Sequence, residues 1–521
     1  MSEQPQVAAS TPPSTCADHE VVVIGAGIGG ICMGIRLQEA NIEDFVILER
    51  GADVGGTWRD NRYPDIGVDI PCWFYQYSFA RNRKWTRVFP KGAEVLAYHK
   101  DVVRRYSLEP HLRFNSHVVR QVWNEEAGHW ELQMATGQRL TAKFVVSAVG
   151  AFLLAKEDPG IPGWIDFRGK LLRPTDWDYG YSLAGKRVAV IGTGASSVQI
   201  TPVLAEVTSQ LDVYQRTPVW CLPKPDYVFG PRMQWFLTIP VVQACINALS
   251  LVLTDILIRL VLLPPLFLFI PLARAFDAVS KYTYRRHLRS VVHDTSVRAA
   301  LLPDYGLMGK RPTISNSFLQ AFNRSNVSLT TTPISRITST GIQISDGQTR
   351  EYDAIVLATG YHLFSDPESY ATGAVIGRDG FDLGTFYNKK GLQAYESVSI
   401  HGLPNHWTVV GPYSWTGTSW HFMVEMASRR IVSVIAEARS RDAKSVEVSE
   451  AAHGAFHDKI RRQRTNMASY FTEVNKGLRT YYLNSQKDCP FIRPTSVLSA
   501  LSSSRRVNFD DYDFSYASPS K

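Results

Sequence analysis

Apolar and polar positions change rhythm several times along the chain, and each change marks an element. Residues 20–24, Glu20-Val21-Val22-Val23-Ile24, form a short, almost unbroken apolar run, as expected of a strand buried on both faces. The run opens into Gly25-Ala26-Gly27-Ile28-Gly29-Gly30, a helical period follows to about Ala40, and a second apolar run, 45–48, stops at Glu49. This spacing predicts one βαβ unit. The plan recurs as a strand over 186–191, a turn Gly192-Thr193-Gly194-Ala195-Ser196-Ser197, a helix to about Glu206 and a strand over 211–214 that stops at Gln215-Arg216. Gly25 and Glu49 are 24 positions apart, and Gly192 and Gln215 are 23 apart. Two copies at matched spacing argue for two separate dinucleotide sites.

Strand-like segments at 117–123, 130–134 and 144–148 lie between the two units, the last followed by Val149-Gly150. Residues 354–358, followed by Thr359-Gly360, look like the third of these. Both 144–148 and 354–358 are expected to bring the chain back to the first sheet. The expected organisation is therefore α/β, with two Rossmann-like dinucleotide-binding domains, the first split by the second. Its parts are a disordered tail 1–19, a first FAD-binding part 20–160, an NADPH-binding domain 161–345 and a second FAD-binding part with C-terminal extension 346–521. One stretch departs from the α/β rhythm. Residues 235–254 carry no charge, and 256–270 hold only Arg259. The length would allow a membrane span, but Pro240, Gln243, Asn247, Asp255, Pro264 and Pro265 interrupt it. The expectation for 232–300 is a buried or surface-lying apolar helical subdomain roofing a substrate site. Peripheral membrane contact through 235–270 stays open.

Composition narrows this picture. A chain of 521 residues exceeds one ordinary core, and 45% apolar with 20% charged residues is that of a folded globular protein. The net charge of +8 comes without a long basic run or a nucleic-acid motif, so anionic nucleotide cofactors are the better partners and nucleic acid is not expected. The six cysteines are scattered with no CxxC pair, which speaks against a disulfide framework and against a dithiol reductase. The 13 histidines show no metal-ligand spacing, and no metal is predicted. Residues 1–19 are polar and lack the basic-then-apolar order of a signal peptide, which leads to a cytoplasmic expectation with membrane association open.

The two turns suit nucleotides for physical reasons. Gly25 makes the tight turn, Gly27 lets backbone N–H groups reach a pyrophosphate, and Gly30 lets helix and strand pack closely. Glu49 is placed to accept from a ribose 2′-hydroxyl. In the second copy Ser197 replaces the third glycine, and Gln215-Arg216 replaces the acid. An acid there would repel a 2′-phosphate, whereas Arg216 would pair with it, so NADPH is expected over NADH.

Longer motifs choose among the flavoenzymes with two dinucleotide sites. Gly55-Gly56-Thr57-Trp58, Tyr63-Pro64 and Asp69 fall at the spacing of a Baeyer–Villiger monooxygenase motif. Phe167, Gly169, Arg173 and Trp177-Asp178 resemble that family's fingerprint FxGxxxHxxxW followed by Pro or Asp. Gln215-Arg216-Thr217-Pro218 and Lys310-Arg311-Pro312 also look like family segments, and the resemblance runs from about Val21 to Gly417. Two positions depart from the pattern: Arg173 stands where the fingerprint has histidine, and Asp65 where the motif has Gly or Met.

The resemblance implies FAD and NADPH as cofactors and Baeyer–Villiger oxidation of a bulky, apolar ketone, in which a peroxide formed from O2 on the reduced flavin attacks the carbonyl. It also implies a place in secondary metabolism. Arg311 would then hold negative charge over the flavin, oriented by Asp69, and Lys310 would reach the NADPH 2′-phosphate beside Arg216. Thr57, Trp58, Arg59, Asp60, Gly67, Val68, Asp69, Ile70 and Tyr75 would line the flavin. Gly192, Thr193, Gly194, Ala195, Ser196, Ser197, Val198, Gln199 and Gln215 would line NADPH. Trp415 and Trp420 are candidates for the substrate pocket or for plain core packing. The departures at Arg173 and Asp65 keep hydroxylation at carbon, nitrogen or sulfur open. The lost histidine and the apolar stretch leave a non-catalytic flavin- and NADPH-binding partner protein as the alternative of another class.

Overall fold

The computed structural model describes residues 17–517. Most of the expected tail, residues 1–16, lies outside the described residues. Its last part is structured: the Asp18 carboxylate accepts from the backbone and hydroxyl of Thr141, and His19 opens the first strand.

The first sheet has eight strands. β1 (His19–Ile24), β2 (Phe45–Leu48) and β3 (Leu112–Arg113) run parallel, with α1 (Ile28–Glu39) crossing from β1 to β2. β4 (Val118–Asn124), β5 (His129–Met134) and β6 (Arg139–Ser147) form an antiparallel meander whose last strand lies parallel to β1. Val23 sits between Ile47 and Val146, all fully buried, which explains the unbroken apolar runs. One edge of β6 is shared: β5 pairs with its first half, and His406–Thr408 pairs in parallel with Val145 to Ser147.

The second sheet is parallel throughout. β7 (Lys170–Leu172), β8 (Arg187–Ile191), β9 (Gln210–Tyr214), β10 (Val327–Thr330) and β11 (Ala354–Leu357) stand in the order β10-β9-β8-β11-β7, with α2 (Ala195–Val207) after β8. This corrects the expectation for 354–358. β11 pairs with β8 in the second sheet, and the chain regains the first sheet only at Val375–Ile376 and His406–Thr408. The two look-alike segments are counterparts, one in each domain. Phe152–Ala155 leaves the first domain antiparallel to Tyr361–Leu363, which returns to it, so the insert occupies 156–360 rather than 161–345.

The apolar stretch forms three helices, α3 (Pro231–Thr238), α4 (Pro240–Leu262) and α5 (Leu266–Val291), with Pro264-Pro265 at the corner between the last two. They lie on the surface and are not buried. α4 packs against α7 (Val497–Arg505), which in turn packs on α6 (Trp420–Ser440), and α6 lies along α1.

Candidate active site

Both glycine turns are built the same way. Gly25 has φ +107° and Gly192 φ +109°, the region open mainly to glycine. A Cβ at Gly25 would lie 2.7 Å from the Ala148 carbonyl oxygen, and one at Gly192 2.6 Å from that of Ala358. A Cβ at Gly30 would meet the Gly25 carbonyl at 1.8 Å, so α1 packs on its turn without space for a methyl group. In the second turn Ser197 fills the matching position, fully buried, with Oγ 3.4 Å from the Thr201 hydroxyl. Helices α1 and α2 start at Gly27 and Gly194 with no side chain capping either. Their first-turn N–H groups are therefore available to an anion. Gly27 faces Gly56 so closely that a Cβ on Gly56 would lie 3.1 Å from the Gly27 Cα, whereas Gly194 borders open space. These features fit two pyrophosphate groups.

At the end of β2 the buried Glu49 Oε2 accepts from the Ala26 N–H (2.9 Å), while Oε1 accepts from Gly51 N–H (2.7 Å) and Arg59 (2.8 Å). Oε2 keeps a lone pair for a sugar hydroxyl. Thr57 is exposed at the start of a short helix, Arg59 also holds Asp60 (2.7 Å), and Trp58 Nε1 donates to the Tyr75 hydroxyl (3.0 Å). Val68 is buried and donates its N–H to the Pro90 carbonyl (3.0 Å), and Ile70 packs at the edge of the core. Between them and the insert, Arg311 Nη2 reaches Asp69 Oδ1 at 2.7 Å. Burial opposes the charge on Arg311. The Asp69 carboxylate is the main influence opposing burial, and the balance holds the guanidinium above its ordinary value. Burial also pushes the Tyr75 phenol up, so it stays protonated.

On the insert side, Thr193 donates to the Thr217 carbonyl (3.0 Å) and Gln215 to that of Ala300 (2.7 Å). Ala195 is exposed at the helix start and Ser196 half-buried. Val198 packs in the core, and its N–H is taken by the Gly194 carbonyl, so it presents no polar group outward. Lys310 stands near Arg216, and burial and then the repulsion of that guanidinium lower its affinity for a proton. Among the described residues neither forms an ion pair, which is the arrangement a dianionic phosphate would complete. Gln199 clasps the other domain: its Oε1 accepts from Gly67 N–H (3.1 Å) and Tyr63 (3.3 Å), and its amide donates to the Gly67 carbonyl (3.1 Å).

The two departures have local explanations. Asp65 has φ +64°, a conformation that Asp adopts more readily than most residues, and it pairs with Lys91. Arg173 stacks over Trp164 (5.3 Å) and donates to the Glu157 carbonyl (3.0 Å). The neighbouring Pro174 carbonyl accepts from Arg62 N–H (3.1 Å), so the fingerprint docks on the first domain's loop. Trp415 stacks on Tyr482 (6.1 Å), and Trp420 meets Phe152 (6.5 Å) and Phe491 (6.3 Å) where the tether and the C-terminal segment converge.

Sequence pattern does not point to Tyr481, Tyr482 or the fully buried pair His99 and His421, whose Nε2 atoms are 3.0 Å apart behind Tyr75. Among the described residues no group of three or more His, Cys, Asp or Glu could hold a metal ion.

Comparison with known proteins adds to this geometry. Residues 22–238 match the profile of a pyridine nucleotide-disulphide oxidoreductase family. The chain is 36% identical over 412 residues to a Baeyer–Villiger monooxygenase of Streptomyces coelicolor, covering 77% of this chain and 76% of that one. It is 36% identical over 440 residues to the FAD-binding monooxygenase ktnD of Aspergillus niger, covering 81% and 70%. Among solved structures, the polycyclic ketone monooxygenase from Thermothelomyces thermophila shares the fold with a TM-score of 0.84 at 23% identity, covering 98% of this chain and 91% of that one. A steroid monooxygenase bound to NADP gives a TM-score of 0.81 at 24% identity, covering 96% and 100%.

Proposed function

The chain belongs to the Baeyer–Villiger monooxygenase family, and we propose that it inserts one oxygen atom of O2 into a bulky, mostly apolar ketone to give an ester or lactone. It is an FAD- and NADPH-dependent enzyme. When bound, the nicotinamide supplies hydride and the flavin passes the electrons to O2. The protein's share is to bind, orient and stabilise charge.

The first turn from Gly25 to Gly30, Glu49, residues 57–60, residues 67–70 and Tyr75 hold the flavin nucleotide. The second turn, Gln215, Arg216 and Lys310 hold NADPH. The observation that carries the reading is the Arg311–Asp69 pair at 2.7 Å, which joins the insert to the first domain among Tyr75, Tyr481 and Tyr482. Asp69 keeps the guanidinium charged and fixes one Nη, leaving the other N–H groups for negative charge that develops on oxygen. In a site walled by aromatic rings such a fixed cation is worth more than in water, and it needs no reorganisation during reaction.

The test has two stages. NADPH should bleach the yellow protein under nitrogen, and readmitting O2 with a candidate ketone should yield an ester or lactone identified by NMR. Turnover that gives only hydrogen peroxide with every ketone defeats the reading. Arg173 motivates a second reading, hydroxylation at carbon, nitrogen or sulfur, because an arginine anchored to Glu157 and Trp164 replaces the fingerprint histidine. Both products gain one oxygen, and NMR placement of that atom separates them.

A further inference from the structure

A helix lying on a water-soluble core turns its apolar side inward. Helix α4 departs from this: Ile258, Val261 and Leu262 pack on the core, but polar residues share that inner side and most of its apolar side chains face outward. Gln243 and Asp255 are buried: the Gln243 amide donates to the Leu237 carbonyl (2.6 Å), and the Asp255 carboxylate accepts from Leu498 N–H (3.0 Å) and pairs with Arg259 (2.6 Å). Asn247 and Thr254 share that inward face at helical spacing, and the Asn247 Oδ1 is shielded from solvent. The outward face carries Leu249, Val252, Leu253, Ile256, Leu257 and Leu260, each between 44% and 64% exposed. It continues around the proline corner through Leu263 and Phe267, 71% and 81% exposed. Only 6% of the most apolar window of α4 is buried. An apolar face this continuous on a single chain marks a contact surface.

Charge identifies what it contacts. Between Pro231 and Val291 the only acids are Asp255 and Asp277, both buried. The same span holds seven basic residues, among them the exposed Arg232 before the apolar stretch and the exposed Arg285, Arg286 and Arg289 after it. Trp235 and Tyr282, 67% and 60% exposed, stand between the apolar face and those cations, the position aromatic rings take at a membrane interface. Two copies meeting through this face would bring two cationic sets together with no exposed acid from the span to meet them. An anionic lipid surface supplies both the apolar phase and the phosphates.

We propose that α4 and the first half of α5 lie in the plane of an anionic bilayer, apolar side chains among the acyl chains and Arg232, Arg285, Arg286 and Arg289 at the headgroups. At roughly 1.5 Å per residue α4 is long enough to cross a bilayer. Crossing would strip Asp255 and Gln243 of their partners and carry a carboxylate into hydrocarbon, so the helix rests on the membrane and does not span it. Its inner face lies on the loop between Trp415 and Trp420, where a Cβ on Gly417 would lie 3.4 Å from Thr254 and 3.7 Å from Ile258. The docked face thus adjoins the aromatic wall of the site, a route for an apolar ketone dissolved in lipid. This route rests on the proposed reaction, whereas the docking does not.

The test is flotation of the full-length FAD-loaded protein with vesicles of phosphatidylcholine alone or mixed with phosphatidylglycerol, without turnover. The protein should float with the mixed vesicles and bind less as salt rises. Leu257→Glu and Leu260→Glu should each lower binding about tenfold. Arg285→Gln and Arg286→Gln should each lower binding to the anionic vesicles roughly fivefold and leave binding to neutral ones unchanged. Retained flavin and NADPH bleaching show that the variants are folded. No flotation of the unaltered protein, unchanged flotation of the leucine variants, or a dimer in sedimentation that those variants dissociate each overturns the proposal.

Discussion

Burial, and after it the neighbouring Arg216 guanidinium, leave Lys310 with a lowered proton affinity in the free enzyme, which the Asp304 carboxylate offsets only in part. A 2′-phosphate binds the charged lysine and raises that affinity again. Affinity for NADP should therefore fall as pH rises through the lowered lysine range, while affinity for NAD stays flat. Titration of both nucleotides from neutral pH up to the ordinary lysine range checks this, and Lys310→Arg should flatten the NADP curve. Arg216→Ala should cut the preference for NADPH over NADH about tenfold. Arg311→Met should lower product formation by roughly a hundredfold or more while NADPH still bleaches the flavin, with peroxide released in place of product. Much at this scale was legible beforehand. Asp69 and Arg311 are 242 positions apart yet form a pair, and long motifs named both. His99, His421, Tyr481 and Tyr482 were not legible, because their meaning comes from contacts between distant segments and no local spacing records those.

The first and second glycines of each turn do different work, and an added methyl group separates the two roles. Gly192 combines φ +109° with a backbone oxygen 2.6 Å from where a Cβ would stand. Gly192→Ala should destabilise the insert by about 1–3 kcal/mol, read as a lower midpoint of thermal unfolding. Gly194 borders open space and has an ordinary negative φ of −73°. Gly194→Ala should keep its fold and weaken NADPH binding, because the methyl group occupies the pyrophosphate's approach. Equal losses of stability in the two variants would contradict this division. The same turns show why one strand was misplaced. Residues 144–150 and 354–360 both read as a buried strand followed by a glycine, since each backs a glycine turn through Ala148 or Ala358. Local pattern reports that job correctly and carries no information about which of two similar sheets the strand joins.

Among the described residues six histidines, His99, His129, His406, His421, His453 and His457, are buried, and burial disfavours the charged form of each. Burial lowers His99 to about 3 and His406, His453 and His457 to about 4, and drives His421 well below its ordinary value. Below about pH 6.5 the unfolded chain takes up protons that the folded chain refuses. Stability should therefore fall as pH drops from about 6.5 towards 4, each such histidine adding up to about 1.4 kcal/mol per pH unit to the slope. Thermal unfolding across that range measures it, and His453→Gln should make the slope shallower. The whole molecule is also joined in an economical way. The insert leaves through Phe152–Ala155 and returns through Tyr361–Leu363, two strands hydrogen-bonded to each other. Its two ends are thus neighbours, so a foreign domain with equally close ends could be spliced at those cuts without parting the flavin half. Exchange at this seam offers a way to re-engineer nicotinamide preference as a cassette, provided the graft rebuilds the Gln199 clasp on Gly67, the Arg311–Asp69 pair and the packing of α4 on α7.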